Sequence, residues 1–536
     1  MKKMYYGGKI ITMESKSLDD YVEPEAVLVE DGIISHVGKV SELKEYTDDD
    51  TEMVNLEGKC LMPAFIDGHS HVVMDGRFSL FANLSDAGSF DELTDILRDH
   101  MNKNHIGPDN VLVGFGYDNN FLKENAHPDK RVLDTVSTDV PIVVMHVSAH
   151  LACANSRALE IAGITSETPD PKGGHIGRIE GSNEPSGYLE EAGMMVVSQK
   201  VMSNIKGDVN AIIEGIGKSY IENGVTTVQD GATTKADFDF LKMMSDDNKL
   251  KIDVVSYPIM PDGGVKLMHD NSKYCGNYIN HLKIGGYKLV LDGSPQGRTA
   301  WLTKPYLGGE EGYCGYQWMK DEDVENFIKT AVEEKHQVLT HCNGDAAGDQ
   351  FLNAYEKVIK ETGSKDELRP VMIHCQTARN DQLDKMAELH MMASIFVGHV
   401  YYWGDVHLSN LGEERAYHIS PVKDALDRGI HVNFHQDTPV TSPNMLHSVW
   451  AAVNRVTRRG LVLGKDQCVD VYDALKAVTI EGAYEYFEED SKGTIEKGKR
   501  ADLIILSDSP LEVDKMDIKN IKVLETIKDG ETIFKR

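Results

Sequence analysis

Hydrophobic and polar positions fall into two different patterns along this chain. Near both ends the apolar runs are short and broken by glycine turns. Residues 9–13, 26–30 and 32–38 read as strands, and Asp31-Gly32 between the last two is a strong hairpin signal. Residues 493–506 read as a glycine-punctuated turn followed by a strand. Residues 521–534 add two more strands around Asp529-Gly530. Neither end alone supplies enough strands for a sandwich. Both ends are therefore predicted to pack together as one discontinuous β-sandwich domain, residues 1–60 and 486–536.

The middle of the chain behaves differently. Its apolar runs lack in/out alternation, as strands buried on both faces do. The first lies in 61–72, and others follow at 225–230, 252–257, 286–292, 337–341, 370–374, 392–396 and 431–437. Patterns suited to helices fill 321–334, 345–362, 382–389 and 421–428. Eight strands alternating with helices predict an α/β fold, a (β/α)8 TIM barrel over residues 61–485. A doubly wound sheet is the structural alternative.

One gap does not suit a single crossover. About 150 residues separate the first run from the second, far more than one helix and two loops need. This segment has strand candidates of its own at 111–115 and 142–146, and a glycine-rich polar stretch over 169–193. An inserted α+β subdomain is predicted over 75–205. It follows the C-terminal end of a strand, where barrel active sites lie, so a lid or substrate wall is its expected role.

Composition narrows the partners. The chain has 536 residues, 41% of them hydrophobic, enough for a sizeable core. Lys and Arg total 56 against 86 Asp and Glu, a formal charge of −30, which disfavours nucleic acid and anionic membrane. No apolar run reaches the ~20 residues of a membrane span. The basic start is too interrupted for a signal peptide. Seven scattered cysteines without a CxxC argue against a disulfide framework, so a cytoplasmic location is expected.

Polar residues at the ends of the apolar runs carry the chemistry. The first run leads into His69-Ser70-His71, and residues two apart on a strand share a face. Later runs end in His341, His374 and Asp437, while Lys288 sits inside the fourth. Taken singly, each has an ordinary reading: an interior histidine, a turn-capping aspartate, a snorkelling lysine. Taken together, strand ends of a barrel converge on one mouth. Four imidazoles and a carboxylate there suit two divalent ions, zinc above all. A buried ammonium beside two cations is unfavourable, so Lys288 is expected to be neutral or modified. On the last strand Asn433, His435 and Asp437 share one face. Cys342 and Cys375 point away from their histidine neighbours and are read as structural.

With these residues in hand, the chain resembles the metal-dependent amidohydrolase superfamily. The match lies in Pro63-Ala64-Phe65-Ile66-Asp67-Gly68-His69-Ser70-His71 and in Gly498-Lys499-Arg500-Ala501-Asp502-Leu503. Within it the chain is similar to the amidohydrolase 3 group. The features are His150 with Asn155-Ser156-Arg157-Ala158-Leu159, the stretch from Leu291 to Ala300, His341-Cys342-Asn343-Gly344-Asp345, and His435-Gln436-Asp437-Thr438-Pro439-Val440. The stretches His399-Val400-Tyr401-Tyr402-Trp403-Gly404-Asp405 and Val453-Asn454-Arg455-Val456-Thr457-Arg458 are similar to N-substituted formamide deformylases.

The resemblance implies a barrel with a β-sandwich from both termini. It implies metal ligation by His69, His71, His341, His374 and Asp437, with Lys288 carboxylated to a carbamate that bridges two zinc ions. It also implies hydrolysis of a C–N bond, an amide or N-formyl bond, by metal-activated water, with Asp437 as general base and then acid. Substrate contacts are expected from His150, Arg298, His399 and His435. The chain departs from many relatives at His435, where they have a small residue, and at Pro295-Gln296, which replaces Leu-Gly. The expected partner is a small-molecule amide; a homodimer is compatible with the family. The competing functions are a mononuclear deaminase of the same superfamily and a non-catalytic binding or regulatory protein on the same scaffold.

Overall fold

The computed structural model describes residues 2–148, 151–171, 174–202, 205, 209–308 and 310–536. The chain forms two compact units, Met1–Val73 with Gly217–Arg536, and Met74–Ile216.

In the larger unit the two chain ends meet in shared structure. Strands Ile33–Gly38, Ala26–Glu30, Lys2–Tyr6 and Glu52–Asn55 lie side by side in that order. A second sheet runs Lys9–Ile10, Cys60–Pro63, Leu503–Leu506, Val523–Lys528 and Glu531–Lys535. One apolar core that includes Tyr5, Val27, Ile34, Leu61, Leu503, Ile505 and Ile527 draws on both sheets. The two hairpin turns form as expected, with positive φ at Asp31 and Gly32 and again at Asp529 and Gly530. That backbone matches the twist of the flanking strands, and it is why an Asp-Gly pair occupies both turns.

The remaining strands of this unit are all parallel. Phe65–Ile66, Val225–Thr233, Asp253–Pro258 and Leu282–Ile284 make one sheet. Gly286–Val290, Gln337–Cys342, Val371–His374, Met392–Ile395 and Val432–Phe434 make another. Only Gly285 separates the two sheets along the chain, and a Cβ there would lie 2.5 Å from the Tyr257 ring. A side chain at that point would push the strands apart. The first and last strands also meet, where Gly68 N–H donates to the Phe434 carbonyl at 3.4 Å. Ile66, Val255, Leu339, Val371, Ile373 and Met392 from both sheets pack in one apolar cluster with Tyr257 and Tyr486. This is an α/β fold.

Helices follow several of these strands. Lys235–Asp246 begins with a capping box between Thr234 and Asp237. Asp345–Thr362 ends at Gly363, whose φ of 64° supplies the left-handed cap. Asp321–Glu333, Asn380–Glu388 and Val422–Leu426 fall where the sequence pattern put helices.

Two expectations need correction. The run 61–72 is not one strand. Cys60–Pro63 belongs to the sheet of the chain ends, Phe65–Ile66 starts the parallel sheet, and beyond both His69 lies in loop backbone while His71 makes only an isolated bridge to Asp230. The local hydrogen bonds explain the break, because Ala64 N–H pairs with Asp502 and Phe65 N–H with Gly224, in different sheets. Likewise the last strand stops at Phe434. Asp437 has left it, with φ of 53°.

The smaller unit carries a six-stranded sheet in the order Gly174–Arg178, Pro185–Glu191, Leu151–Ala154, Ile142–His146, Leu112–Tyr117 and Ala82–Asn83. The middle strands at Leu112 and Ile142 agree with the sequence pattern. The hairpin made by Gly174–Arg178 and Pro185–Glu191 does not, because glycine and charged residues fill half of its positions and little apolar signal remains. Among the described residues no helix is long and apolar enough to cross a membrane.

Candidate metal centre

Four chain segments bring polar groups together at the C-terminal ends of the parallel strands. His69 follows Phe65–Ile66, Lys288 lies inside Gly286–Val290, His374 ends Val371–His374, and Asp437 follows Val432–Phe434. One ring nitrogen each from His69 and His374 and one oxygen of Asp437 lie within 4.8 Å of one another. The Asp437 carboxylate is 3.6 Å from Nε2 of His69, 3.3 Å from Nε2 of His71 and 4.0 Å from Nε2 of His374. Lys288 Nζ is 3.1 Å from Nε2 of His69. His341 joins through its ring, 4.4 Å from that of His374 and nearly perpendicular to it.

The chain fixes which face each imidazole presents. Nδ1 of His69 is 2.5 Å from Oε1 of Gln229. That amide is itself oriented, since its Nε2 donates to the Gly68 carbonyl and to Glu485. Nδ1 of His341 is 3.1 Å from Asp292 Oδ1. Asp292 is anchored by backbone N–H groups of Trp301, Asn343 and Gly344. Nδ1 of His374 is 3.0 Å from Nε2 of His435, whose Nδ1 is 2.9 Å from Ser394 Oγ. Nδ1 of His69 and of His341 thus has an oxygen acceptor, which leaves the Nε2 lone pair, while Nδ1 of His374 is engaged by His435 with their shared proton on either ring. This network-assigned tautomer is the one histidine needs to bind a metal through Nε2.

Backbone and charge fit the same use. His374 and Asp437 both have positive φ, 71° and 53°, a strained conformation that clusters at functional sites. Asp437 Oδ1 is buried and has no hydrogen-bond partner among the described residues. Burial opposes charge on Asp437, but a proton carried by any of the imidazoles around it holds its carboxyl well below the usual range. Burial pushes His69 and His374 well below the ordinary imidazole range, so both are neutral. It also brings Lys288 down to about 7. Neutral imidazoles, an ionised carboxylate with an orphaned oxygen and an amine that readily loses its proton form a donor set for a divalent cation.

The residues expected to touch substrate fare differently. His435 has both ring nitrogens occupied, by His374 and Ser394, and is fully buried. It stands behind His374, and a substrate contact would have to displace one of these bonds. Arg298 spends its guanidinium on Asn410 Oδ1 and the Gly308 carbonyl, which pins the loop after Gly286–Val290 to helix His399–Leu411. His399 is buried at the start of that helix, within the electrostatic reach of Asp437. His150 lies outside the described residues. Sγ of Cys342 lies 3.6 Å from the Ala347 carbonyl.

Sequence reasoning missed the supporting layer of Gln229, Asp292, Ser394 and Glu485. Glu485 is fully buried, burial pushes its carboxyl up to about 8, and Asn433 and Gln229 donate to it. A glutamine inside the apolar run 225–230 was the available signal, because a buried amide requires partners.

The model of the Amidohydrolase family matches residues 52–534. This chain belongs to that family. It is 30% identical over 522 residues to Protein LONG AFTER FAR-RED 3 of Arabidopsis thaliana, covering 95% of this chain and 88% of that protein. It is 26% identical over 525 residues to the N-substituted formamide deformylase of Arthrobacter pascens, covering 96% and 95%. Among solved structures, an uncharacterized metal-dependent hydrolase from Pyrococcus horikoshii OT3 superposes with a TM-score of 0.76 at 25% identity, over 96% of this chain and 99% of that one. Amidohydrolase membership makes this chain a hydrolase of that superfamily, which implies a divalent metal.

Proposed function

We propose that this amidohydrolase cleaves the C–N bond of an amide or N-formyl compound at a two-metal centre, with zinc as the ion. Support comes from one observation above others: three histidines each have Nδ1 engaged, which leaves Nε2 as ligand around an ionised Asp437. In this reading His69, His71, His341, His374 and Asp437 would hold the ions, and Lys288, converted to a carbamate, would complete the donor set. A lysine drawn down to about 7 supports that conversion, since only a neutral amine adds carbon dioxide. With Leu282–Ile284 and Gly286–Val290 taken as one strand broken at Gly285, the nine parallel segments are read as one closed eight-stranded barrel and the two terminal sheets as a sandwich, with residues 75–205 as an insertion.

A divalent metal supplies Lewis acidity to a carbonyl oxygen and lowers the pKa of a water molecule. The chain's own part is proton handling and positioning. Asp437 accepts a proton from the attacking water and returns it to the leaving nitrogen. Gln229, Asp292 and His435 keep the three imidazoles in one tautomer throughout.

The test is metal analysis of purified protein together with a panel of amides, including N-substituted formamides. About two metal ions per chain and chelator-sensitive amide hydrolysis are expected, with hydrolysis lost in Asp437→Asn and His69→Ala. Active protein without a bound transition metal would remove the reading. A stoichiometry of one, with ammonia released from an aminated ring, would favour a mononuclear deaminase.

A further inference from the structure

Helix His399–Leu411 carries a pair of histidines outside the ligand set. Nδ1 of His399 is 3.2 Å from Nε2 of His407, with the two rings 12° from parallel. His407 is fully buried, and its Nδ1 has no partner among the described residues. That orphan decides the tautomers. A buried N–H without an acceptor is rarer and costlier than a buried lone pair. The proton of His407 therefore sits on Nε2 and is donated to Nδ1 of His399. His399 must then carry its own proton on Nε2. Burial pushes His407 down to about 3 and His399 well below the ordinary range, so both rings are neutral.

The location gives this donor a use. The Phe396 ring lies 4.8 Å from that of His399 and 5.5 Å from that of His435, so the pair begins one ring away from the residue that holds His374. Trp403 closes another side of the His399 ring, at 4.5 Å. Asp437 is near enough to influence its charge. Unlike Nδ1 of His407, Nε2 of His399 is not among the enclosed nitrogens left without a partner among the described residues, so it is the nitrogen that can carry an outward N–H.

We infer that His407 is a positioning residue that fixes His399 as an Nε2–H donor, and that His399 donates this N–H to the amide carbonyl oxygen as negative charge develops there. The inference rests on the hydrolase reading above. A neutral imidazole suits the task, because it stabilises the oxyanion without repelling nearby cations. Loss of one such donor lowers kcat by about 10²–10³.

The experiment uses intact, metal-loaded protein with ¹⁵N-labelled histidine imidazoles. In wild type the His399 signals, assigned by their loss in His399→Phe, should show protonation on Nε2. In His407→Phe, which keeps a ring but removes the donor, Nδ1–H should appear on His399, and kcat should fall about tenfold or more with KM little changed. His407→Gln places an amide N–H where Nε2 stood and should restore both the signal pattern and kcat. Wild-type His399 protonated on Nδ1, or unaltered kcat in His407→Phe, would overturn the inference. So would equal losses in His407→Gln and His407→Phe, which would mark a purely packing role. If wild type hydrolyses no amide while His399 still shows Nε2–H, the hydrolase reading and the substrate half of the inference fall, and the tautomer relay stands.

Discussion

Nδ1 of His374 lies 3.0 Å from Nε2 of His435, and that single contact gives His435 control over the orientation of a proposed ligand. His435 can accept from His374 only while its own Nδ1 proton goes to Ser394. His435→Ala removes the acceptor and leaves His374 free to rotate or change tautomer. Metal affinity should fall about 10–100-fold, as for other outer residues of metal sites. Competition with a chromophoric chelator measures this, and unchanged affinity would show that His374 needs no such support.

Gly231 and His69 stand in close steric contact. A Cβ on Gly231 would fall on the His69 ring, only 2.6 Å from Nδ1 and 2.8 Å from Gln229 Oε1. Gly231→Ala should therefore displace His69 from Gln229, and metal content should drop while the far-UV circular dichroism spectrum stays native. The overlap comes from packing, since Gly231 is not among the positive-φ glycines. Full metal retention in Gly231→Ala would mean the loop yields without moving the ring.

Much of this centre was legible in the chain, and the limits have physical causes. His69, His374 and Asp437 could be found because apolar runs end at them and strand ends converge. The parallel strands could be found because burial on both faces leaves near-continuous apolar runs. The supporting residues were not legible, because Gln229, Ser394 and Glu485 act through distances that span 41 to 256 positions in sequence. His435 was expected to face substrate because it stands where many relatives have a small residue, on the face that alternation shares with Asp437. Alternation gives a face, but it cannot tell that both nitrogens are already taken. The division of 61–72 between two sheets was hidden for a similar reason, since one apolar run serves either sheet equally well.

Asp437→Asn removes the proposed proton acceptor but keeps the side chain's shape. If Asp437 shuttles the proton, kcat should fall about 10²–10⁴-fold, the usual range for general acid–base groups. Weaker metal binding could produce the same loss, so metal content must be measured on the same sample. A variant with native metal content and near-native kcat would assign proton transfer to another group.

Lys288→Met tests the bridge. Methionine fills a similar buried volume but cannot form a carbamate. Metal content should fall toward one ion per chain. Adding bicarbonate during metal loading should raise occupancy in wild type but leave the variant unchanged. Two tightly held ions in Lys288→Met would exclude Lys288 as the bridge.

Asp253 anchors the parallel sheet to the C-terminal segment through charge, and this sets how stability responds to acid. Its carboxylate, 1% exposed, lies 2.6 Å from Nζ of Lys492, 2.6 Å from Nζ of Lys528 and 2.7 Å from Nδ1 of His281. Burial opposes its charge, but Lys492 and Lys528 hold its pKa well below the ordinary carboxylate value. The unfolded chain therefore takes up this proton first as pH falls. The stabilisation from Asp253 is fully present above its unfolded pKa of about 3.9 and is lost progressively as pH falls toward the folded value. Asp253→Asn leaves two buried ammonium groups short of a countercharge and should cost about 3–5 kcal/mol at neutral pH. Urea unfolding across the acid range gives both quantities. The variant should be less stable at neutral pH, and its stability should fall less steeply than that of wild type below about pH 4. Parallel acid profiles for the two proteins would show that Asp253 is not the group whose protonation weakens this fold.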